Sequence, residues 1–445
     1  MKKICSNILV LLSIIMIALP ARAALFNAEE FFLDNGLQVI VIPNHKAPII
    51  KHMVWYKAGA VDEKPGKGGS AHLLEHLMFR GTSKVKGSEF NAVLEKHGAE
   101  SNAFTGSDFT AYHQSLDISK LELAMALEAD RMQNLEITPE DFKLERDIVY
   151  QERMQVVEND PAAFFKESLR RTLWQTHPYA RPITGTPEEI MNLTPKDVRE
   201  FYDNFYSPDN AILILSGDID VATARKLAEK YYGNIPARKI GKKAEFPSVK
   251  QQYNASLQMK LPQINSPRIS EIYIAPSYNT DKNAAYALEL FAKYLGEGAT
   301  SKLYKKLVLE QKLALSVSVS YDSSVRGHAS FTVSALPAEG VTAEELRRAV
   351  NVAVDDSLNE YSREEQEKLL NKLLSGLVYL RDNPFDAAYI IGAMESVGYP
   401  LDEIENQDKI LQKISVADVK SAARRLLTEA PKVSGTLEPE KGGAK

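Results

Sequence analysis

Hydrophobic residues follow two patterns along the chain, one typical of strands and one typical of helices. Residues 37–43 and Ile49–Tyr56 are short runs rich in β-branched and aromatic side chains, and residues 210–216 form an apolar run that ends in a Gly-Asp turn. These runs predict buried strands. Residues 121–135 and 139–157 place apolar side chains at helical spacing, and therefore predict two long amphipathic helices. The chain is expected to be an α+β protein.

The two halves of the chain carry similar helix-start sequences at nearly the same offset. The hexapeptide at 193–198 is matched by the one at 414–419, and the helix start at Thr138 is matched by one at Ser362. A duplication explains both matches. We therefore predict two tandem homologous domains, each a mainly antiparallel sheet covered by helices. The predicted boundaries are 24–237 for the first domain, 238–250 for a linker and 251–445 for the second domain.

The first 23 residues differ from the rest of the chain in their composition. Two lysines precede an apolar run at 8–19, which is followed by Pro-Ala-Arg-Ala. This order predicts a signal peptide cleaved after Ala23, and hence a periplasmic or otherwise exported protein. The run is too short to span a bilayer, and no later run is longer, so no stable membrane insertion is expected. The only cysteine, Cys5, would be removed with this segment, so no disulfide is expected.

Overall composition narrows the class of protein but does not identify it. Hydrophobic residues make up 44% and charged residues 25% of the 445 residues, which is typical of a globular protein. The formal net charge of −5 argues against a general nucleic-acid binder, because phosphate binding needs a basic face. We therefore expect no nucleic-acid partner.

One short segment carries residues suited to metal chemistry. His72, Glu75 and His76 stand in the order H-x-x-E-H. On an α-helix all three share one stripe, and two imidazoles one turn apart can reach the same zinc ion. Glu75 lies beside them, where it can act as a base on a water molecule. This is the inverzincin motif, and it predicts one Zn²⁺ per chain, although manganese or cobalt would also suit such ligands.

A zinc site of this kind needs a third protein ligand from another part of the chain. The predicted helix 139–157 offers Glu145 and Glu152, which lie seven residues apart and therefore on the same face. The spacing by itself does not choose between these two glutamates.

These residues resemble the pitrilysin (insulinase) family of zinc metallopeptidases, above all its bacterial two-domain members and the β subunit of the mitochondrial processing peptidase. The resemblance implies that Glu152 is the third ligand and that Glu145 is a catalytic carboxylate supporting the site. Residues 98–112 resemble a family segment that binds substrate along an edge strand, which implies that Asn102, Ala103 and Phe104 contact the substrate. The family fold implies a clamshell assembly in which two chains close around a chamber.

The second half departs from the family pattern at two positions. The family carries an arginine and, seven residues later, a tyrosine, whereas this chain has Val308 and Leu315 there, with Lys306 and Lys312 out of phase. Aliphatic side chains can neither carry charge nor donate a hydrogen bond to an oxyanion. In the family's heterodimers, the zinc-bearing chain lacks this pair and a zinc-less homologous subunit supplies it. The resemblance thus implies a heterodimer whose partner supplies the arginine–tyrosine pair, and a second domain that is itself non-catalytic.

The sequence therefore favours an exported zinc metalloendopeptidase that hydrolyses unfolded polypeptides or peptides inside a closed chamber, with Glu75 as the general base. The alternative is a non-catalytic assembly or binding subunit that retains the peptidase fold. Metal content separates the two, because a scaffold has no need to bind zinc.

Overall fold

The computed structural model describes residues 24–87, 89–247 and 254–440, which form two sheets with helices packed on both faces. The predicted signal peptide 1–23 lies outside the described residues, as do residues 248–250 of the predicted linker. The strands are β1 Glu29–Phe32, β2 Gln38–Pro43, β3 Ile49–Tyr56, β4 Glu100–Thr105, β5 Thr110–Asp117, β6 Ala211–Gly217, β7 Ala255–Leu261, β8 Arg268–Ala275, β9 Ala314–Tyr321, β10 Ala329–Pro337 and β11 Lys432–Pro439.

Most α-helices of the described residues lie in two long runs, one between β5 and β6 and the other between β10 and β11. The helices are α1 Ser70–Leu77, α2 Glu89–Lys96, α3 Leu121–Asn134, α4 Pro139–Arg153, α5 Pro161–Trp174, α6 Pro187–Met191, α7 Pro195–Phe205, α8 Val221–Tyr232, α9 Lys282–Gly296, α10 Ala343–Glu360, α11 Arg363–Asp382, α12 Pro384–Ser396, α13 Leu401–Glu405, α14 Gln407–Lys413 and α15 Val416–Glu429. None of them combines the length and the apolar character that a bilayer crossing requires.

The two sheets share one topology apart from β1, which extends the first sheet. The first has the strand order β1-β2-β6-β3-β5-β4, and the second has the order β7-β11-β8-β10-β9. The five strands β2 to β6 thus recur, in chain order, as β7 to β11. β2 pairs in parallel with β6 in the first sheet, as β7 does with β11 in the second. The other strand pairs are antiparallel. The predicted fold, two similar α+β units with mainly antiparallel sheets, is confirmed.

The central strands of the first sheet are buried on both faces, which explains why β2 and β6 are almost uniformly apolar. In β6, Leu213 and Leu215 belong to the core that the first sheet forms with its own helices, including α3 and α8. Ile212 and Ile214 point to the opposite face and join the core of the second half. Alternate residues of one strand therefore serve two different cores.

The two halves exchange one helix each. Helix α5 of the first half packs on β7, β8 and β11, whereas α12 of the second half packs on β3 and β6. Both helices begin with a proline in the first turn, after Asp160 and Asn383 respectively, whose side chains accept backbone N–H groups. The contact at α12 is close: a Cβ on Gly392 would lie 2.2 Å from Cε2 of Trp55. The junction between the halves is thus a packed core.

The described part of the predicted linker lies against the first half. The N–H of Gly241 donates to the carbonyl of Asn204 at 2.9 Å, and the N–H of Ala244 donates to Asp62 at 2.8 Å. Burial lowers the pKa of Lys243 to about 8, so this basic segment is not fully solvated.

Candidate metal and catalytic site

Helix α1 carries the H-x-x-E-H motif, and its first turn is held by a buried glutamate. The carboxylate of Glu63 accepts the N–H of Gly69 at 3.1 Å and that of Ala71 at 2.9 Å. These two amides have no partner within the helix, so the carboxylate satisfies them. Gly69 has a φ of 87°, and a Cβ there would lie 2.6 Å from the carbonyl oxygen of Thr184. Glycine is therefore required at the start of this helix.

Helix α4 brings the two candidate glutamates to α1. Its start is defined by Thr138, whose hydroxyl accepts the N–H of Asp141 at 3.0 Å. Phe142 and Val149 are buried and anchor the helix, while Glu145 and Glu152 both reach the histidines of α1.

The structure brings His72, His76 and Glu152 together. Oε2 of Glu152 lies 3.8 Å from Nε2 of His72 and 3.5 Å from Nε2 of His76. One potential ligand atom from each residue lies within 4.8 Å of the others. Tetrahedral zinc with bonds of about 2.0–2.2 Å places its ligand atoms roughly 3.3–3.6 Å apart. Two imidazole nitrogens and one carboxylate oxygen are a donor set of catalytic zinc sites, and this arrangement fits such an ion with small adjustments.

Glu145 contacts the other nitrogen of His76. Its Oε2 accepts from Nδ1 of His76 at 2.9 Å, and its Oε1 is paired with the guanidinium of Arg80. A carboxylate at Nδ1 leaves the Nε2 lone pair of His76 available to a metal. Geometry therefore distinguishes the two glutamates that spacing left equivalent. Glu152 lies next to the Nε2 atoms of His72 and His76, whereas Glu145 contacts Nδ1 of His76.

The pKa values of the two histidines are shifted in opposite directions. Burial, followed by the proximity of His76, lowers the pKa of His72 to about 4. Burial also opposes protonation of His76, but its hydrogen bonds with Glu145 and Glu152 outweigh that effect and raise its pKa to about 9. Metal binding needs both imidazoles neutral, so binding at neutral pH would displace a proton from the carboxylate-bound histidine.

Glu75 is buried beside the histidines, with an exposed fraction of 9%. Its Oε2 accepts a hydrogen bond of 2.5 Å from the hydroxyl of Thr105, at the end of β4. Burial raises the pKa of Glu75 above its usual value, and the Thr105 hydroxyl opposes this shift. Such a pKa suits a group that first accepts a proton and later returns it. The sequence reasoning missed Thr105, although strand alternation from Ala103 would have placed it on the same face.

The predicted substrate-binding residues lie on β4, the terminal strand of the first sheet. Asn102 is exposed and its side-chain oxygen accepts the N–H of Ala103 at 2.8 Å. Ala103 packs with the core that contains α1. Phe104 instead joins an aromatic cluster at the junction of the halves, with ring centroids 5.2 Å from Trp55 and 5.4 Å from Tyr389 of α12. The outer edge of β4 pairs with no strand of the described residues.

The residues at the two departures from the family pattern offer no donor to this site. Val308 packs against the core of the second half, and Leu315 is 61% exposed on β9. The ammonium of Lys306 is paired with Glu360 at 2.8 Å and Asp356 at 3.5 Å, both on α10.

The fold and the site define a tandem α+β protein with an H-x-x-E-H metal-binding arrangement. Two sequence models match successive parts of the chain: "Insulinase (Peptidase family M16)" matches residues 38–187, and "Peptidase M16 inactive domain" matches residues 192–373. The chain belongs to the peptidase M16 (insulinase) family, as its motifs predicted. The second match begins before β6, which is nevertheless a strand of the first sheet.

Named relatives agree with this assignment. Zinc protease PqqE of Helicobacter pylori is 29% identical over 367 residues, 81% of either chain. A probable mitochondrial-processing peptidase subunit beta of Schizosaccharomyces pombe is 32% identical over 215 residues, which cover 48% of this chain and 47% of the relative.

Solved structures show the same fold. A protease from Helicobacter pylori superimposes with a TM-score of 0.85 at 26% identity, covering 93% of this chain and 99% of that one. The first half of the periplasmic protease PqqL from Escherichia coli gives a TM-score of 0.77 at 18% identity, covering 93% of this chain and 92% of that one.

Proposed function

We propose that this chain is an exported zinc metalloendopeptidase acting on unfolded polypeptides or peptides. The observation that carries the proposal is the convergence of His72, His76 and Glu152 within 4.8 Å, beside the buried carboxylate of Glu75. Relatives named as zinc proteases support the same activity.

The chemistry follows from the surroundings of each residue. Zinc held by His72, His76 and Glu152 would lower the pKa of a water molecule towards about 7 and polarise the scissile carbonyl. Glu75 takes the proton from the attacking water and delivers it to the leaving amine. The hydroxyl of Thr105 holds the Glu75 carboxylate in one orientation, and Glu145 holds His76 with Nε2 available.

The substrate would lie along β4 as an added strand. The unpaired edge of this strand offers backbone N–H and C=O groups next to Asn102, Ala103 and Phe104. Binding by β-augmentation reads mainly the substrate backbone, so it tolerates many sequences but requires an unfolded chain.

We further propose a heterodimer with a zinc-less homologous subunit that closes the chamber and supplies the arginine–tyrosine pair. Val308 and Leu315 cannot stabilise an oxyanion, and the pairing of Lys306 with α10 supports a donor from outside this chain. Residues 1–23 support export, and a protein of the same fold is described as periplasmic.

Replacing the general base tests this function against the alternative of a non-catalytic binding subunit. The mature wild-type chain should bind about one zinc ion, as catalytic sites of this class do. Glu75→Gln should retain that zinc, because Glu75 is not a ligand, and should lose peptide hydrolysis by about a hundred-fold or more. The matched control is Glu140→Gln, an exposed glutamate at the start of α4.

Zinc content and cleavage of a quenched fluorescent peptide are measured on all three proteins. A wild-type chain that binds no zinc would favour the scaffold. Equal hydrolysis by wild type and Glu75→Gln would exclude Glu75 as the base.

A further inference from the structure

An arginine of the second half lies between two buried carboxylates of the first half. Arg326, in the loop between β9 and β10, donates from Nη2 to Asp62 at 2.7 Å and from Nε to Asp108 at 3.0 Å. The side chains of Asp62 and Asp108 are 0% and 3% exposed, and that of Arg326 is 13% exposed. Two buried carboxylates without a cation would be strongly destabilising, so this arginine stabilises both.

Neutral groups also form hydrogen bonds with the two carboxylates. The hydroxyl of Tyr179 donates to Asp108 at 2.8 Å and accepts the N–H of Gly327 at 3.0 Å. The N–H of Ala244 donates to Asp62 at 2.8 Å. Asp62 of the first half thus accepts hydrogen bonds from the second half, through Arg326, and from the linker, through Ala244.

Asp62 is adjacent in sequence to the glutamate that holds the start of α1. Asp62 is followed by Glu63, whose carboxylate accepts the N–H groups of Gly69 and Ala71. His72 is the next residue after Ala71. A shift of the loop at Asp62 would thus displace the group that holds the first turn of the metal-binding helix.

Asp108 lies close in sequence to Thr105, the residue that contacts the candidate general base Glu75. Asp108 lies in the turn between β4 and β5, three residues after Thr105, which donates to Glu75. The same turn accepts backbone hydrogen bonds from the loop that contains Asp62: Ala60 N–H donates to Gly106 at 3.1 Å, and Val61 N–H donates to Ser107 at 3.0 Å.

We propose that Arg326 is a positioning residue, through which the second half aligns the start of α1 with the end of β4 and so sets the geometry of His72 and Glu75. The second half, which matches a family domain described as inactive, then contributes to the catalytic site without contacting the reacting atoms. The guanidinium suits this role because its planar fork binds two carboxylates at once, which a lysine ammonium does with less geometric definition.

Two substitutions of Arg326 and one control test the proposal in the zinc-loaded mature chain. Arg326→Met removes the cation, and Arg326→Lys retains the charge but lacks the fork. The control is Arg347→Met, because Arg347 forms an ion pair with Glu271 that lies entirely within the second half. Hydrogen exchange should become about tenfold faster in segments 59–77 and 100–110 of the Arg326 variants, and not in the control.

Steady-state kinetics on a quenched fluorescent peptide provide the second measurement. We expect kcat to fall by about a hundred-fold in Arg326→Met, as misplaced catalytic groups produce, with KM nearly unchanged. The loss of turnover rests on the proposed peptidase function, but the exchange measurement does not. A zinc-loaded wild type that stays inactive even with a zinc-less homologous subunit carrying the arginine–tyrosine pair would overturn the proposed function and leave the exchange result to decide the role of Arg326.

If Arg326→Met does not fold, Arg326→Lys decides the question, because it avoids leaving two unpaired carboxylates. A folded Arg326 variant with wild-type exchange in segments 59–77 and 100–110 would overturn the proposal. Faster exchange spread over the whole chain, as in a general loss of stability, would overturn it as well.

Discussion

The hydrogen bond between Thr105 and Glu75 makes the pH dependence of activity predictable. Glu75 acts as a base in its charged form, so the rate should fall as the pH drops through its pKa. The Thr105 hydroxyl stabilises that charged form from 2.5 Å and thereby opposes the effect of burial on the pKa of Glu75. Thr105→Val removes the donor but keeps a β-branched side chain of similar size. The pKa of Glu75 should rise, and the acidic limb of the profile should move to higher pH.

The size of this shift follows from the strength of the hydrogen bond. A hydrogen bond to a charged group contributes about 1.5–3 kcal/mol. One pKa unit corresponds to about 1.4 kcal/mol, so Thr105→Val should move the acidic limb upward by about one to two pH units. Because the backbone pairing of Thr105 with Thr110 does not depend on the hydroxyl, the strand itself should be retained.

The assay is kcat/KM against pH for the mature chain with a quenched fluorescent peptide. Thr105→Ser is the matched control, because it keeps the hydroxyl and should keep a profile close to that of the wild type. Metal content is measured at each pH, so that loss of zinc in acid is not mistaken for protonation of Glu75. Acidic limbs at the same pH in the wild type and in the valine and serine variants would refute the assigned role of this hydrogen bond.

Four further predictions follow from the same contacts. Glu152→Gln should lose zinc together with activity, and full zinc occupancy by metal analysis would move the third ligand elsewhere. Glu145→Gln should weaken zinc binding by about ten- to a hundred-fold in a chelator competition, because a neutral amide oxygen is a weaker acceptor for the Nδ1–H of His76 than the carboxylate. Adding a zinc-less homologous subunit that carries the arginine–tyrosine pair should raise peptide hydrolysis by about tenfold or more, since each oxyanion donor contributes about a hundred-fold or more, and unchanged activity would contradict this. Gly392→Ala should lower the free energy of unfolding by about 1–3 kcal/mol, because its Cβ would meet Trp55; an unaltered melting temperature would show that the junction adapts.

The features that the sequence determined by itself are those that depend on spacing within one element. His72, Glu75 and His76 share a stripe because residues three and four apart lie on one face of any α-helix. Apolar runs such as that of β6 predicted buried strands for a similarly local reason, and the repeated helix starts predicted the duplication that the two sheet topologies display. None of these conclusions requires knowing which distant segments meet.

The tertiary structure decided every feature that depends on contacts between distant segments. Glu145 and Glu152 share a helix face, and only the packing of α4 on α1 assigns one to the Nε2 atoms and the other to Nδ1 of His76. Strand alternation places Thr105 on the face of Ala103, but only the packing of β4 against α1 shows that its hydroxyl meets Glu75. Arg326 carries no local signal, because its role arises from a loop folded against the segment before α1. The exchange of α5 and α12 between the halves has the same cause: two amphipathic helices bury their apolar faces on whichever sheet the chain brings beside them.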